Sequence, residues 1–517
     1  MTGAFDPRTR DVRGTGSPPK RRLTGPGDRA GLAWCGQVGI DVGSLLPERA
    51  ADGVVGTNAP SRGGAGSDVR SPSPGKRWRS TVSLLHKVNR RVAAIATVVA
   101  VATAVLLVVA LTVPRTADAK PRRDDTGGHG AGNPGWVATW AASPLSGATT
   151  SFADQTVRNV IYTSVGGSQA RIRLSNRYGT QPVTIDATTV GEVLNGAHLL
   201  PGSTRAATFA GRTSVTIPVG GEVVSDPVRM QVSALTELAV DVYLPAPTGP
   251  ANYHALAWQT NYVAAGDHAG DVAGDPFTTK VSSWYYVDGV DVRNPPTPGT
   301  VVAFGDSITD VGHTQVDAEA RWPNYLARRL TAAYGKKAPA VVDAGISANR
   351  VLHDTAGGGA SALTRFQRDA LDQPGVRAVI LLEGINDIGR TDPTATAAEI
   401  EAGYLRLVRA AHAAGVKIYV GTLTPFSGAN CVYHNNYGTA AGEAERVRVN
   451  RWIRSSHAFD GVVDFDTVTA NPKAPEYFRP SYNATGGATC SVGDSLHPND
   501  LGSEAMADAI PLAWFTR

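Results

Sequence analysis

Four short segments carry the residues that could do chemistry. Gly305-Asp306-Ser307 holds a serine, and Asp343-Ala344-Gly345 ends in a glycine. Gly384-Ile385-Asn386-Asp387 offers a side-chain amide, and Asp494-Ser495-Leu496-His497-Pro498 places a carboxylate three residues before an imidazole. A serine hydroxyl is a poor nucleophile until a base takes its proton. Histidine suits that task because its pKa lies near operating pH. A carboxylate three residues away, on a turn or a single helical turn, can reach the imidazole and hold one tautomer. Pro498 confines the backbone of His497 to extended or turn geometry. At Gly345 a backbone N–H can approach an oxyanion with no Cβ in the way. Asn386 can aim an amide N–H at the same oxygen, and losing one such donor costs about 10²–10³ in rate. The chemistry these types would do together is acyl transfer. Taken singly, each has a plainer reading. Ser307 alone is a turn residue or helix cap, Gly345 a turn glycine, Asn386-Asp387 a capping pair, and His497 one of 11 histidines. Only the set argues for a site.

The elements that must position the set follow from hydrophobic rhythm. After the boundary at Asn294-Pro295-Pro296-Thr297-Pro298-Gly299, strands and helices alternate. Val301 to Phe304 is a short apolar strand, Trp322 to Tyr334 has helical spacing, and Val341 to Gly345 ends a second strand. Ala378 to Leu382 is an unbroken apolar run, as expected of a strand buried on both faces. Ile400 to Ala414, Val447 to Ser456 and Leu501 to Trp514 read as helices, and Lys417 to Leu423 and Val462 to Phe465 as strands. Such alternation predicts a parallel sheet with helices on both faces. Right-handed crossovers then bring the C-terminal strand ends, and with them the four segments, to one edge. The spacing also predicts a helix N-terminus facing Ser307, which would favour negative charge there.

In that order and on those strand ends, the four segments resemble the motif blocks of the GDSL esterases, or SGNH hydrolases, over about residues 300–517. The resemblance implies an α/β domain at 298–517 with a three-layer, flavodoxin-like parallel sheet. Carried over by position, it implies Ser307 as nucleophile, His497 as base and Asp494 as the residue orienting it. Its oxyanion donors would be the backbone N–H of Ser307, the backbone N–H of Gly345 and the amide of Asn386. One departure stands out. The second block often reads Asn-x-Gly-x-x-Gly, and here those places hold Asp343, Gly345 and Ala348. The family implies an ester substrate and no metal or organic cofactor. Short-chain acyl esters and acetylated carbohydrates are the expected substrates, a lipase or phospholipase activity being the alternative.

Residues 134–297 are expected to be an all-β sandwich. Ala170-Arg171-Ile172-Arg173-Leu174, Val215-Thr216-Ile217 and Ala239 to Leu244 are short alternating runs separated by Gly, Pro, Asn and Asp. A sandwich ahead of such a hydrolase domain is similar in layout to some carbohydrate acetyl esterases. The rival reading makes it a polysaccharide-binding module beside an inert hydrolase, with Trp284, Tyr285 and Tyr286 as a sugar platform. Core packing of that strand is the plainer expectation.

The N-terminal third reads as address. Residues 1–80 are Gly-, Pro-, Ser- and Arg-rich and are expected to be a disordered tail or sequence upstream of the true start. Within 81–119, Lys87, Arg90 and Arg91 precede 22 uncharged residues from Val92 to Val113, and Ala117-Asp118-Ala119 follows. A bilayer needs about 20 such residues. The pattern fits a cleaved secretory signal or a retained anchor, and either leaves the body outside the membrane. Residues 120–133 are a charged, Gly-rich linker. The net charge of +4 divides into +9 over residues 1–91 and −5 over the rest, so the folded body lacks the basic surface of a nucleic-acid enzyme. Export makes a disulfide between Cys431 and Cys490 a reasonable expectation, with two buried thiols as the alternative. Asp306 and Asp310 are expected to serve as turn and capping residues, and His313 and His353 as surface or substrate-rim residues. The oligomeric state is not legible.

Overall fold

The computed structural model describes residues 135–294, 296–484 and 493–516. The tail (1–80), the signal or anchor (81–119) and the linker (120–133) lie outside the described residues, as does Cys490. Among the described residues no helix is long and apolar enough to cross a membrane.

The first part is strand-rich and antiparallel. One sheet runs Trp136–Ala141, Val287–Arg293, Gly167–Ser175 and Val228–Val232 in spatial order, with Glu222–Val224 also paired to the third of these. The other is built on Gln155–Tyr162, Glu237–Leu244 and Ala187–Asn195, extended by Asn261–Ala265 and Thr279–Val281. Alternation does what it should: Val228, Met230 and Val232 point inward while Arg229 and Gln231 face water. Trp284, Tyr285 and Tyr286 are all buried, so that strand presents no exposed aromatic platform.

The second part is the parallel α/β fold. Its strands are β1 (Thr300–Gly305), β2 (Ala340–Gly345), β3 (Val376–Leu382), β4 (Lys417–Gly421) and β5 (Gly461–Val463). They lie in the order β2-β1-β3-β4-β5, and every pairing is parallel. The four longest helices are α1 (Trp322–Tyr334), α2 (Ala397–Ala413), α3 (Ala440–Ser455) and α4 (Asp500–Asp508). α1 packs with α4 and α2 with α3, supplying the helical layers. Because β1 lies between β2 and β3, successive crossovers leave it in opposite directions and open a crevice at its C-terminal end. Ser307 and Asn386 both lie at that crevice.

One expectation fails at the nucleophile. No helix begins after Ser307. Thr309 N–H and Asp310 N–H donate to Asp306 O in a single turn, and helix resumes only at Trp322. The expected helix N-terminus is therefore not found at Ser307.

The two parts belong to one compact unit, Thr116–Arg517. Strand Trp136–Ala141 packs along β2, Ala138 N–H donates to Pro374 O at 3.0 Å, and Val341 N–H donates to Ser164 Oγ at 3.1 Å. A single apolar cluster runs from the sandwich into the parallel sheet.

Candidate active site

The structure brings together Ser307, His497 and Asp494, which lie up to 190 residues apart in sequence. Ser307 Oγ is 2.8 Å from His497 Nε2, and His497 Nδ1 is 2.6 Å from Asp494 Oδ2. Asp494 Oδ1 accepts the backbone N–H groups of Leu496 (2.9 Å) and His497 (3.0 Å), so the carboxylate is fixed by the same turn that carries the imidazole. Left-handed Ser495 (φ 59°) makes that tight turn. Burial pushes the Asp494 carboxyl up, but the His497 imidazole and its hydrogen bonds outweigh it and hold the group below its ordinary value. Asp494 is thus an anion throughout the neutral range.

Sequence reasoning missed the residues that hold this set in place. Tyr433 donates its hydroxyl to Asp494 Oδ2 at 2.9 Å. It ends a short helix, Asn430–Tyr433, that also carries Cys431. Cys431 is disulfide-bonded, while its expected partner Cys490 lies outside the described residues. His313, expected at the rim, stacks on His497 with ring centroids 4.6 Å apart and planes 25° apart. Burial first, then the neighbouring His497, pulls the His313 pKa down to about 4, leaving it neutral at pH 7. Donor atoms of His313, Asp494 and His497 fall within 4.8 Å of one another, the spacing of a metal cluster. Both nitrogens of His497 are already engaged, however, Nε2 with Ser307 Oγ and Nδ1 with Asp494 Oδ2.

The oxyanion side differs from expectation at one residue. Gly345 N–H donates to Asp343 Oδ1 at 2.8 Å and is not free for a substrate oxygen. Its lack of a side chain serves packing instead: a Cβ would lie 2.7 Å from Asp310 N and 2.8 Å from Asp310 Cβ. Three residues on, Ala348 adopts a left-handed conformation (φ 60°) and donates its N–H to no protein acceptor among the described hydrogen bonds. It directly precedes Asn349, whose carbonyl accepts one Asn386 Nδ2–H at 2.9 Å. Asn386 is fixed from the other end by Tyr437, whose hydroxyl donates to Oδ1 at 2.6 Å. Among the described hydrogen bonds the amide's second hydrogen has no protein acceptor. Ser307 N–H likewise has no protein acceptor among the described hydrogen bonds. The clue in the sequence was the third place of the second block, where Ala348 stands instead of glycine.

Beneath the strand ends lies Arg365, wholly buried. It donates to Gly305 O (2.8 Å), Ala344 O (2.6 Å) and Asn349 Oδ1 (2.9 Å), and lies 3.5 Å from Glu383 Oε2. One guanidinium thus ties the ends of β1, β2 and β3. Asp387 works similarly, accepting from Val351 N–H (2.7 Å) and Leu352 N–H (3.1 Å). Asp306 accepts from Ile308 N–H at 2.9 Å, the turn role expected of it. Asp310, expected as a capping residue, pairs instead with Arg321 and His254. His353 is exposed.

Residues 303–505 match the model of the GDSL-like lipase/acylhydrolase family. No curated protein matches the chain. Among solved structures, the M. smegmatis aryl esterase is 17% identical, with 41% of this chain and 95% of that one covered and a TM-score of 0.31. A GDSL-like lipase from Bacteroides thetaiotaomicron VPI-5482 is 16% identical, with 41% and 86% covered and a TM-score of 0.30. A variant of an acetyl xylan esterase from Geobacillus stearothermophilus is 20% identical, with 41% and 91% covered and a TM-score of 0.30.

Proposed function

We propose that residues 303–505, which match the GDSL-like lipase/acylhydrolase family model, form a carboxylic ester hydrolase, and that the protein is an exported serine esterase that works through an acyl-enzyme. Ser307 Oγ attacks the ester carbonyl as His497 Nε2 takes its proton. Asp494 holds the tautomer and stabilises the imidazolium. The tetrahedral oxyanion is met by the N–H of Ser307, an N–H of Asn386 and the N–H of Ala348, which replaces Gly345 in that role. His497 then protonates the leaving alcohol, and water repeats the cycle to release the acid. The observation that carries this reading is the unbroken hydrogen-bonded line from Ser307 through His497 to Asp494.

The substrate in this proposal is a small or carbohydrate-borne ester with a short acyl group. The layout of a sandwich ahead of a hydrolase domain, similar to that of some carbohydrate acetyl esterases, supports a carbohydrate-borne ester. Export rests on the charged flank, the apolar run Val92–Val113 and Ala117-Asp118-Ala119. N-terminal sequencing of the secreted or membrane-bound form tests it, cleavage after Ala119 marking a signal peptide. The activity is tested with p-nitrophenyl acetate and the full chain beside Ser307→Ala. The expected loss is about 10³-fold or more. A Ser307→Ala protein as active as wild type would refute the proposal.

A further inference from the structure

Two loops, one from the sandwich and one following Ser307, are clasped together beside the catalytic residues. Trp258 Nε1–H donates to Thr314 O, and Asp317 N–H returns a bond to Trp258 O at 3.1 Å. Thr260 donates its N–H at 2.5 Å and its hydroxyl at 2.7 Å to the Asp317 carboxylate. Arg321 reaches back to Leu256 O (3.1 Å) and Ala257 O (2.9 Å). Below this, His254 of the sandwich and Arg321 hold the two oxygens of Asp310 at 3.1 and 2.9 Å. The clasp includes four non-glycine residues in left-handed backbone: Leu256 (φ 57°), Trp258 (52°), Asp317 (62°) and Glu319 (51°). Such conformations are unfavourable and persist only where the surroundings enforce them.

The clasp ends at the catalytic base. The Trp258 ring lies 6.3 Å from that of His313, and His313 stacks on His497. Gly312 passes under the indole, where a Cβ would sit 3.4 Å from the ring. The His313 side chain is 37% exposed, so its own surroundings do little to hold it apart from this stack and the 3.6 Å approach to Asp494.

We propose that the β-sandwich is a working part of the catalytic centre, Trp258 serving as a positioning residue that holds His313 against the face of His497. His497 alternates between imidazole and imidazolium in every acylation and deacylation. A ring on its face limits rotation and keeps Nε2 aimed at Ser307. His313 suits this because it is neutral at pH 7 and adds no second positive charge beside the imidazolium. Trp258 touches neither substrate nor reacting atoms and acts through His313.

This inference rests on the serine-esterase reading, and the experiment separates the two. Steady-state kinetics on p-nitrophenyl acetate would compare the full chain with Trp258→Ala, Trp258→Phe, His313→Ala, His313→Phe and the Trp258→Ala/His313→Ala double variant, with Ser307→Ala alongside. Trp258→Ala and His313→Ala should each lower kcat about 10–100-fold, with KM little changed. The two phenylalanine variants, which keep an aromatic ring in place, should recover most of the rate. The double variant should be no slower than His313→Ala, since the two residues act in series. Losses that multiply, a Trp258→Ala enzyme at the wild-type rate, or a His313→Phe enzyme as slow as His313→Ala would each overturn the inference. If Trp258→Ala does not fold, the His313 pair still decides. An inactive Ser307→Ala beside an unaffected Trp258→Ala removes only the positioning role. A fully active Ser307→Ala removes the reading of the site, and this inference with it.

Discussion

Tyr437→Phe should damage catalysis without touching substrate. The Tyr437 hydroxyl donates to Asn386 Oδ1 at 2.6 Å, and the same amide gives one Nδ2–H to Asn349 O at 2.9 Å. Both residues are buried. Removing the hydroxyl leaves Oδ1 without its donor in a dry site, at a cost of roughly 1–3 kcal/mol. The amide can relieve that cost by turning, which takes its second N–H away from the oxyanion. Complete loss of one such donor is worth about 10²–10³ in rate. Partial misorientation should therefore lower kcat about 10–100-fold, or about 1.4–2.8 kcal/mol in the barrier. KM should change little, because the ground-state carbonyl makes weaker use of the donor. The assay is steady-state hydrolysis of p-nitrophenyl acetate by wild type, Tyr437→Phe, Asn386→Ala and the double variant. Loss in the double should match that of Asn386→Ala alone. A Tyr437→Phe enzyme within twofold of wild type, beside a crippled Asn386→Ala, would refute the argument that the phenol sets the amide.

Two further outcomes follow from the buried charges. Burial, with the charge of nearby Asp310 next, raises the Asp343 pKa to about 7. Its folded pKa exceeds its unfolded one, so its stabilising contribution is full below about pH 4 and is lost as pH rises through about 7. An amide in place of that carboxyl is neutral at every pH and can still accept from Gly345 N–H. Asp343→Asn should therefore melt higher than wild type at pH 8, with the difference gone near pH 4; melting curves across that range check it, and a pH-independent difference would contradict it. Arg365→Met should be the most destabilising of these changes. It strands Glu383, whose pKa burial and the charge of Asp306 already raise, and frees the carbonyls of Gly305 and Ala344. Breaking such a buried pair costs about 3–5 kcal/mol, or roughly 4–6 °C in melting temperature for a unit of this size, and a change under about 2 °C by differential scanning calorimetry would show that the strand ends do not depend on it.

The architecture and most of the candidate site were legible in the order of residues alone. Periods of two and of 3.6, with Gly and Pro between, marked the antiparallel part and the alternating strands and helices, because local side-chain direction follows directly from backbone geometry. Ser307, Asn386, Asp494 and His497 were legible because each is announced by residues beside it in the chain. Relations between segments needed the folded chain. Gly345 and Ala348 both looked fit to donate an N–H, and the side chain of Asp343, folding back on Gly345, removed one of them. The turn after Ser307 closes on Asp306 and starts no helix, an outcome that the contacts of Asp310 with Arg321 and His254 help to set. Arg365, Tyr433, Tyr437, His313 and Trp258 carry no local signature. Each acts across gaps of tens to hundreds of residues, where meaning depends on distance in space, and no period or spacing encodes that distance.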